Sequence, residues 1–145
     1  MEIREAAQGD LMPLLDLYRH LHDNPMPAAG EALDALWRRI LADENHRILL
    51  GLADGGIVSS CVLLIVPNLT RGQRPYALVE NVVTRADRRG RGYATRLLAF
   101  AGELAERENC YKIMLMTGSK DASVLGFYER AGYNRQDKTA FIRWL

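Results

Sequence analysis

The chain has 145 residues, of which 48% are hydrophobic and 26% charged, and its 19 Lys and Arg against 18 Asp and Glu give a net charge of +1. This size and composition predict one globular domain over residues 1–145. The near-neutral charge argues against nucleic acid or an anionic membrane as partner, and no apolar run is long enough to span a bilayer. With a charged N-terminus unlike a secretory signal, we expect a cytoplasmic protein in which Cys61 and Cys110 stay reduced.

The first half of the chain predicts a strand, two helices and a hairpin. A short strand at 1–6 precedes a helix that we expect Asp10 to cap, with apolar residues at helical spacing through Leu21. Prolines and a glycine within residues 22–30 interrupt it, and a second amphipathic helix follows around Trp37. Strands at 47–53 and 57–66 flank the turn Asp54-Gly55-Gly56, which is typical of a β-hairpin.

The second half alternates strands with helices. A polar loop at 67–75 leads to a buried strand at 76–84, and apolar residues from Ala94 onward have helical spacing. We expect a strand at 111–116, a helix at 122–131 capped by Asp121 and ended by Gly132, and a last strand at 139–144. The order β-α-α-β-β-β-α-β-α-β predicts an α/β fold, a mixed twisted sheet of about six to seven strands with helices on both faces.

A basic, glycine-containing loop joins the strand at 76–84 to the next helix. Residues 85–92 contain four arginines and two glycines. A helix start has unpaired N–H groups and partial positive charge, and glycines let a ligand approach that backbone, so the loop predicts an anion site such as one for phosphate. The chain lacks the Gly-Lys-Ser/Thr of a Walker loop, and a Rossmann loop would need a glycine at Thr95.

Two motifs carry a resemblance to a known family. Residues 89–94, Arg-Gly-Arg-Gly-Tyr-Ala, match R/Q-x-x-G-x-G/A, and residues 127–133 match Phe-Tyr-x-x-x-Gly-Phe/Tyr. Together they resemble the GNAT superfamily of acyl-CoA-dependent N-acyltransferases. The resemblance implies a GNAT-type domain that uses acetyl-CoA, with the backbone of the strand end binding pantetheine and the loop binding pyrophosphate. The coenzyme-binding residues that it implies are Val82, Val83, Thr84, Arg89, Gly90, Arg91, Gly92, Tyr93, Ala94 and Thr95.

Two residues are candidates for the chemistry. The resemblance places Tyr128 beside the coenzyme sulfur as proton donor to the leaving thiolate; the alternative is a packing role. Glu80 is the candidate base, because a carboxylate among Leu and Val is costly unless it meets a partner, water or substrate. Period-2 alternation predicts that Glu80 shares a face with Val82 and Thr84. An ion pair with an arginine is the alternative for Glu80.

The acceptor is less defined by the sequence. The resemblance places its pocket between the first two helices, their connection and the loop at 67–75, so Tyr18, Glu80, Arg71 and Arg74 are candidate substrate-binding residues. Residues 79–83 and 110–115 look similar to glucosamine-6-phosphate N-acetyltransferases, and the two arginines suit an anionic group. His20, His22 and His46 are not spaced as metal ligands, and we expect no metal.

These observations predict an N-acetyltransferase acting on a primary amine of a small anionic metabolite, by direct attack in a ternary complex. Two alternatives stay open: transfer to a protein or peptide N-terminus, and a non-catalytic acetyl-CoA sensor. A homodimer is compatible with the sequence.

Overall fold

A computed structural model describes residues 1–21 and 25–145, and its centre is one sheet. Within that part of the chain the sheet has five strands in the order β1-β2-β3-β4-β5, antiparallel except for the parallel pair β4 and β5. The strands are β1 (Glu2–Glu5), β2 (His46–Ala53), β3 (Gly56–Val66), β4 (Tyr76–Thr84) and β5 (Ile113–Leu115). The α-helices are α1 (Leu11–Tyr18), α2 (Glu31–Ala42), α3 (Tyr93–Arg107) and α4 (Ala122–Arg130).

The helices cover both faces of the sheet, which confirms the predicted α/β architecture. One buried cluster joins the sheet to α3 and α4, and a second joins it to α1 and α2. Leu49 belongs to the first cluster and its neighbour Leu50 to the second, as period-2 alternation requires. Because β2 and β3 are buried on both faces, their sequences are nearly continuous apolar runs.

The predicted local signals are largely confirmed. Asp54 (φ 51°) and Gly55 (φ 79°) form the hairpin turn between β2 and β3 with both central residues left-handed, as a two-residue turn requires. The Asp121 carboxylate accepts a hydrogen bond of 2.7 Å from the Ser123 N–H and caps α4. The break at 22–30 falls partly on residues 22–24, outside the described residues.

Asp10 does not cap α1 as predicted. Its backbone is already helical, and its side chain turns back to Arg4, with contacts of 2.6 and 2.9 Å, and to the Ala7 N–H at 2.7 Å. The Arg4 guanidinium, ahead of the other contacts, holds the pKa of the Asp10 carboxyl below its ordinary value. Asp10 therefore ties the start of α1 to β1.

The predicted last strand is the main correction to the fold. Residues 139–144 form no strand, and β5 spans Ile113–Leu115 where 111–116 was expected, so the sheet has fewer strands than predicted. A strand requires a hydrogen-bonded neighbour, and within the described residues β5 has one only in β4. Residues 134–145 are exposed throughout.

No helix in the two described ranges has both the length and the apolar character that a bilayer crossing requires.

Candidate active site

A bulge in β4 shapes the centre of the candidate site. Val62 faces Glu80 and Ser60 faces Val83, so two β4 residues, Asn81 and Val82, stand opposite Cys61 alone. Asn81 has a left-handed backbone (φ 51°), which asparagine tolerates better than most residues.

The bulge corrects the predicted face of Glu80. Directly opposed residues share a face, so Glu80 lies on the face of Val62, which packs under α1 and α2. Val82 packs against the other cluster, on the α3 and α4 side, and Thr84 Oγ1 lies 2.8 Å from Ser59 Oγ. The extra residue shifts the alternation by one, so Glu80 does not share a face with Val82 and Thr84.

β4 and β5 separate at the same point, and the gap between the two strands is called the opening below. Their parallel pairing covers Ala77–Val79 against Ile113–Leu115. In the described part of the chain, residues 80–84 of β4 have no β5 partner. The backbone groups of residues 80–84 that have no partner elsewhere are therefore available to a ligand that enters between the strands. Two carbonyl groups do have partners, since Val83 O accepts from Ser59 Oγ at 2.7 Å and Thr84 O accepts from Arg89 at 3.3 Å.

The glycine loop follows directly. Gly90 (φ 74°) and Gly92 (φ 77°) are both left-handed, and Gly92 is the N-cap of the 15-residue α3. No side chain caps α3, and a Cβ built on either glycine meets nothing within 4 Å. The first N–H groups of α3 therefore have no side-chain cap at the positive end of the helix dipole, and the two glycines leave space beside the loop backbone.

The loop arginines differ in what they contact. Arg88 pairs with Asp54 at 2.5 Å, and Arg85 pairs with Asp87 at 3.2 Å. Arg89 donates to the backbone oxygens of Thr84 (3.3 Å) and His20 (3.0 Å), which ties the loop to the end of α1. Arg91 is exposed and forms no ion pair with any described residue. The loop is thus less positive than its sequence suggests.

Tyr128 lies on α4 beside this opening. Its ring centroid is 4.9 Å from that of Phe127 and 6.4 Å from that of Tyr133, and the side chain is half-buried against the α3 and α4 cluster. Burial, followed by the nearby Cys61 and Glu80, raises the pKa of the Tyr128 phenol above its ordinary value. Tyr128 therefore carries its proton at neutral pH.

A cavity of about 290 Å³ lies on the α1 side of the sheet, next to the bulge. Burial raises the pKa of the Tyr18 hydroxyl to about 12, partly opposed by the Ser60 hydroxyl. The described lining residues carry no charged side chain. Residues 22–24, which connect the lining residues Leu21 and Pro25, lie outside the described part of the chain. The lining residues are Leu15, Tyr18, Leu21, Pro25, Met26, Pro27 and Asn81.

Glu80 is the first β4 residue beyond the stretch that pairs with β5, and it precedes Asn81, which lines the cavity. It is half-buried on the α1 side of the sheet, and its charge acts on the Tyr128 hydroxyl. No Lys or Arg in the described ranges comes within 4 Å of its carboxylate. The ion-pair alternative for Glu80 therefore has no partner among those residues.

Arg71 and Arg74 lie elsewhere. Arg74 donates to the backbone oxygens of Asn109 (3.1 Å) and Cys110 (3.0 Å), and the Arg71 guanidinium lies 5.8 Å from the centre of the Tyr111 ring. Both precede β4, and the six residues from Arg74 to Glu80 span roughly 20 Å when extended. Neither Arg71 nor Arg74 therefore lines the cavity of its own chain.

Several residues at the bulge and the cavity were not predicted as part of the site. Asn81, Met26 and Cys61 carry no motif, although an asparagine inside an apolar strand is a bulge signal. Cys61 is fully buried beneath the bulge, and burial raises the pKa of its thiol to about 12. Among the described residues no group of three or more His, Cys, Asp and Glu is placed to hold a metal ion.

The end of β4 without a β5 partner, the glycine loop at the start of α3 and the tyrosine on α4 fit the resemblance that the two motifs carry. The chain belongs to the GNAT acetyltransferase family, whose model, "Acetyltransferase (GNAT) family", matches residues 14–133. It is 30% identical over 138 residues to a glucosamine 6-phosphate N-acetyltransferase of Trypanosoma brucei brucei, covering 95% of this chain and 92% of that one.

Solved structures agree with the family. A provisionally named acetyltransferase from Agrobacterium tumefaciens strain C58 is 43% identical, with a TM-score of 0.92 over 99% of this chain and 100% of that one. Glucosamine-6-phosphate N-acetyltransferase from Arabidopsis thaliana has a TM-score of 0.85 over 99% of this chain and 97% of that one, and at 19% identity it supports the fold alone.

Proposed function

We propose that residues 1–145 work as one domain that transfers the acetyl group of acetyl-CoA to the primary amine of a small metabolite. The observation that carries this proposal is the adjacency of two spaces. The opening between β4 and β5 leads to the start of α3, and the cavity near Tyr18 lies across the β4 bulge. Glu80 lies beside the bulge residue Asn81, which lines the cavity, and its charge acts on the Tyr128 hydroxyl.

Coenzyme binding would use backbone groups first. The N–H groups of Tyr93, Ala94 and Thr95 suit the pyrophosphate, with Gly90 and Gly92 allowing its close approach. Val82, Val83 and Thr84 would bind the pantetheine arm through N–H and C=O groups. Arg91 would add a positive charge near the pyrophosphate, whereas Arg89 would hold the loop in place through its hydrogen bonds to Thr84 O and His20 O.

The reaction would proceed in a ternary complex. Acetyl-CoA supplies an activated thioester, so the protein has to position a neutral amine and complete the proton transfers. Glu80 would take or bind the ammonium proton, directly or through water. Tyr128 would donate its proton to the departing thiolate, since its raised pKa means that the phenol is protonated at neutral pH.

Amino sugar phosphates are the first acceptors to test, since relatives are named for glucosamine 6-phosphate. A cavity of about 290 Å³ has room for a sugar-sized amine. A positively charged group that binds an anionic acceptor would have to lie outside the described lining of this cavity. We also propose a reducing, cytoplasmic setting, which two free cysteines fit.

A thiol-release screen with acetyl-CoA tests the proposal. Amino sugars, with and without phosphate, amino acids, polyamines and short peptides are compared at equal concentration. We expect turnover with small amines, and Tyr18→Phe should raise the KM of the best acceptor without changing acetyl-CoA affinity. Turnover with peptides alone would replace the small-molecule acceptor, and binding without any turnover would indicate a sensor.

A further inference from the structure

Ser60 on β3 is a polar residue that is fully buried. Its hydroxyl oxygen, Ser60 Oγ, forms no hydrogen bond with any described residue. A buried hydroxyl without a partner costs free energy, because folding removes it from water without a replacement. Within the described ranges no other buried side-chain nitrogen or oxygen lacks a hydrogen bond. An isolated exception of this kind indicates a partner that the free protein does not supply.

The Ser60 side chain lies on the α1 side of the sheet. Ser60 pairs with Val83 and is two residues from Val62 on β3, and both valines belong to the cluster under α1 and α2. Its neighbour Cys61 belongs to the cluster under α3 and α4, as alternation along a strand requires. The same register places Ser60 beside the β4 bulge, where Asn81 lines the cavity.

Tyr18 connects Ser60 with the cavity. It packs against the same buried cluster and forms part of the cavity wall. Burial raises the pKa of the Tyr18 phenol, and the Ser60 hydroxyl partly opposes this rise, as a hydroxyl near the phenol oxygen does. The two hydroxyls are therefore close, although Ser60 Oγ forms no hydrogen bond among the described residues. Since Ser60 does not itself line the cavity, it acts on a bound molecule through Tyr18.

We propose that Ser60 positions the Tyr18 hydroxyl for the amine acceptor. This inference rests on the proposed function, because it assigns the cavity near Tyr18 to that amine. When the amine occupies the cavity, the Tyr18 side chain moves toward Ser60 and the two hydroxyls form a hydrogen bond. A hydrogen bond that forms only in the complex strengthens binding, since the cost of the unpaired Ser60 hydroxyl is then removed. Ser60 is thus a positioning residue and does not touch the substrate.

Ser59, the preceding residue, is a matched control. It is also fully buried, but its hydroxyl has two partners, since Ser59 Oγ donates to Val83 O at 2.7 Å and lies 2.8 Å from Thr84 Oγ1. Its side chain lies on the opposite face of the sheet from that of Ser60. The two serines therefore differ in the feature on which the proposal depends, a hydrogen-bond partner in the free protein.

Urea unfolding of the protein without any amine provides the first test. Ser60→Ala removes a hydroxyl that has no described partner, so the unfolding midpoint should stay the same or rise. Ser59→Ala removes a hydroxyl that has two partners, so its midpoint should fall. A midpoint that falls as far for Ser60→Ala as for Ser59→Ala would mean that Ser60 is already paired in the free protein, and this result overturns the proposal.

Steady-state kinetics provide the second test. The acceptor is glucosamine 6-phosphate, or the best amine of the thiol-release screen if that sugar is not acetylated. Ser60→Ala should raise the acceptor KM about 3- to 10-fold, the usual effect of one neutral hydrogen bond, while kcat and acetyl-CoA affinity stay close to wild type. Ser59→Ala should leave the acceptor KM nearly unchanged.

A double-mutant cycle with Tyr18→Phe completes the test. Because Ser60 acts only through the Tyr18 hydroxyl, Ser60→Ala should have no further effect on the acceptor KM in a Tyr18→Phe background. Additive effects of the two substitutions, or an unchanged KM in Ser60→Ala, overturn the positioning role while the proposed function stands. A wild-type chain that acetylates no amine of the screen contradicts the proposed function itself, and this inference falls with it.

Discussion

At Tyr128 the environment keeps the phenol in the protonated form that the proposed chemistry needs, and the same raised pKa makes the phenol a weaker acid. The neutral phenol is the form that burial favours, and the neutral phenol is the form that can donate a proton to a thiolate. Tyr133, 6.4 Å away between ring centres, is buried as well, and burial raises its pKa to about 12. Burial therefore raises the pKa of both tyrosines, and their different positions make Tyr133 a control for Tyr128.

We expect Tyr128→Phe to lower kcat by roughly 100-fold or more, the usual contribution of a general acid, while acetyl-CoA affinity stays nearly constant. Tyr133→Phe should have a much smaller effect. Because the pKa of Tyr128 is raised, its deprotonation should depress wild-type kcat only above its ordinary value of about 10. Steady-state kinetics across pH, with calorimetry for coenzyme affinity, provide the measurement. A fall in kcat of less than about fivefold would reduce Tyr128 to a packing residue.

Glu80 is the second test at the residue scale. If its carboxylate receives or holds the amine proton, Glu80→Gln should lower kcat/KM for the acceptor at least about tenfold and alter the acidic limb of the pH profile. The substitution keeps the shape of the side chain, so acetyl-CoA binding should persist. An unchanged pH profile would contradict a role in proton transfer.

At the scale of elements, the loop and the start of α3 carry the coenzyme proposal. Gly92→Asp would place a side chain and a negative charge where the pyrophosphate is proposed to bind, so acetyl-CoA affinity should fall at least about 100-fold. The control is Gly72→Asp, because Gly72 is also left-handed (φ 68°) with open space around a Cβ, but lies in the loop before β4. Equal acetyl-CoA affinity for both folded variants, measured by calorimetry, would contradict the proposed pyrophosphate site.

The contact between β1 and the start of α1 predicts a pH-dependent stability. Because Arg4 lowers the pKa of Asp10, this contact stabilises the folded state above the ordinary pKa of 3.8 and is lost as pH falls through the lowered folded value. Asp10→Asn should cost about 1 kcal/mol at pH 7, a figure reduced for the partly exposed Arg4, and this cost should largely vanish at strongly acidic pH.

Urea unfolding at both pH values measures the effect. Asp16→Asn is the control, since Asp16 and Arg19 form an exposed pair at 3.3 Å whose loss should be close to neutral. An Asp10→Asn cost that is the same at both pH values would contradict the linkage.

The elements also show how far the sequence could predict the structure. The hairpin turn, the Asp121 cap and the glycine start of α3 depend on neighbouring residues, and all three could be predicted. The face of Glu80 could not, because one bulge at Asn81 reverses the alternation that follows it. The strand at 139–144 was predicted from its side chains alone, whereas a strand also needs a neighbour.

In the candidate site, too, local features could be predicted from the sequence and long-range contacts could not. The motifs indicated the glycine loop and Tyr128, since each is a local pattern. They did not indicate that Asp54 would neutralise Arg88, or that Arg89 would reach His20 O, because these contacts join segments 34 and 69 residues apart. Long-range contacts of this kind are fixed by the packing of the sheet and helices.

At the scale of the whole molecule, the sheet lies between the two binding sites that we propose. The side covered by α3 and α4 brings Tyr128 to the opening, and the side covered by α1 and α2 forms the cavity near Tyr18. At the β4 bulge, the charge of Glu80 on the α1 side acts on the Tyr128 hydroxyl on the α4 side. Our account therefore requires coenzyme and amine to be bound together, on either side of one strand.

Transfer of labelled acetyl groups tests this account most directly. The protein is mixed with acetyl-CoA carrying a ¹³C-labelled acetyl group and with the best amine from the screen, and mass spectrometry follows the amine, the coenzyme and the protein. The account predicts labelled N-acetyl product and free coenzyme in equal amounts. Double-reciprocal plots of initial rate against one substrate, at several fixed concentrations of the other, should give intersecting lines. Label that accumulates on the protein, or bound acetyl-CoA that never yields an amide, would contradict it.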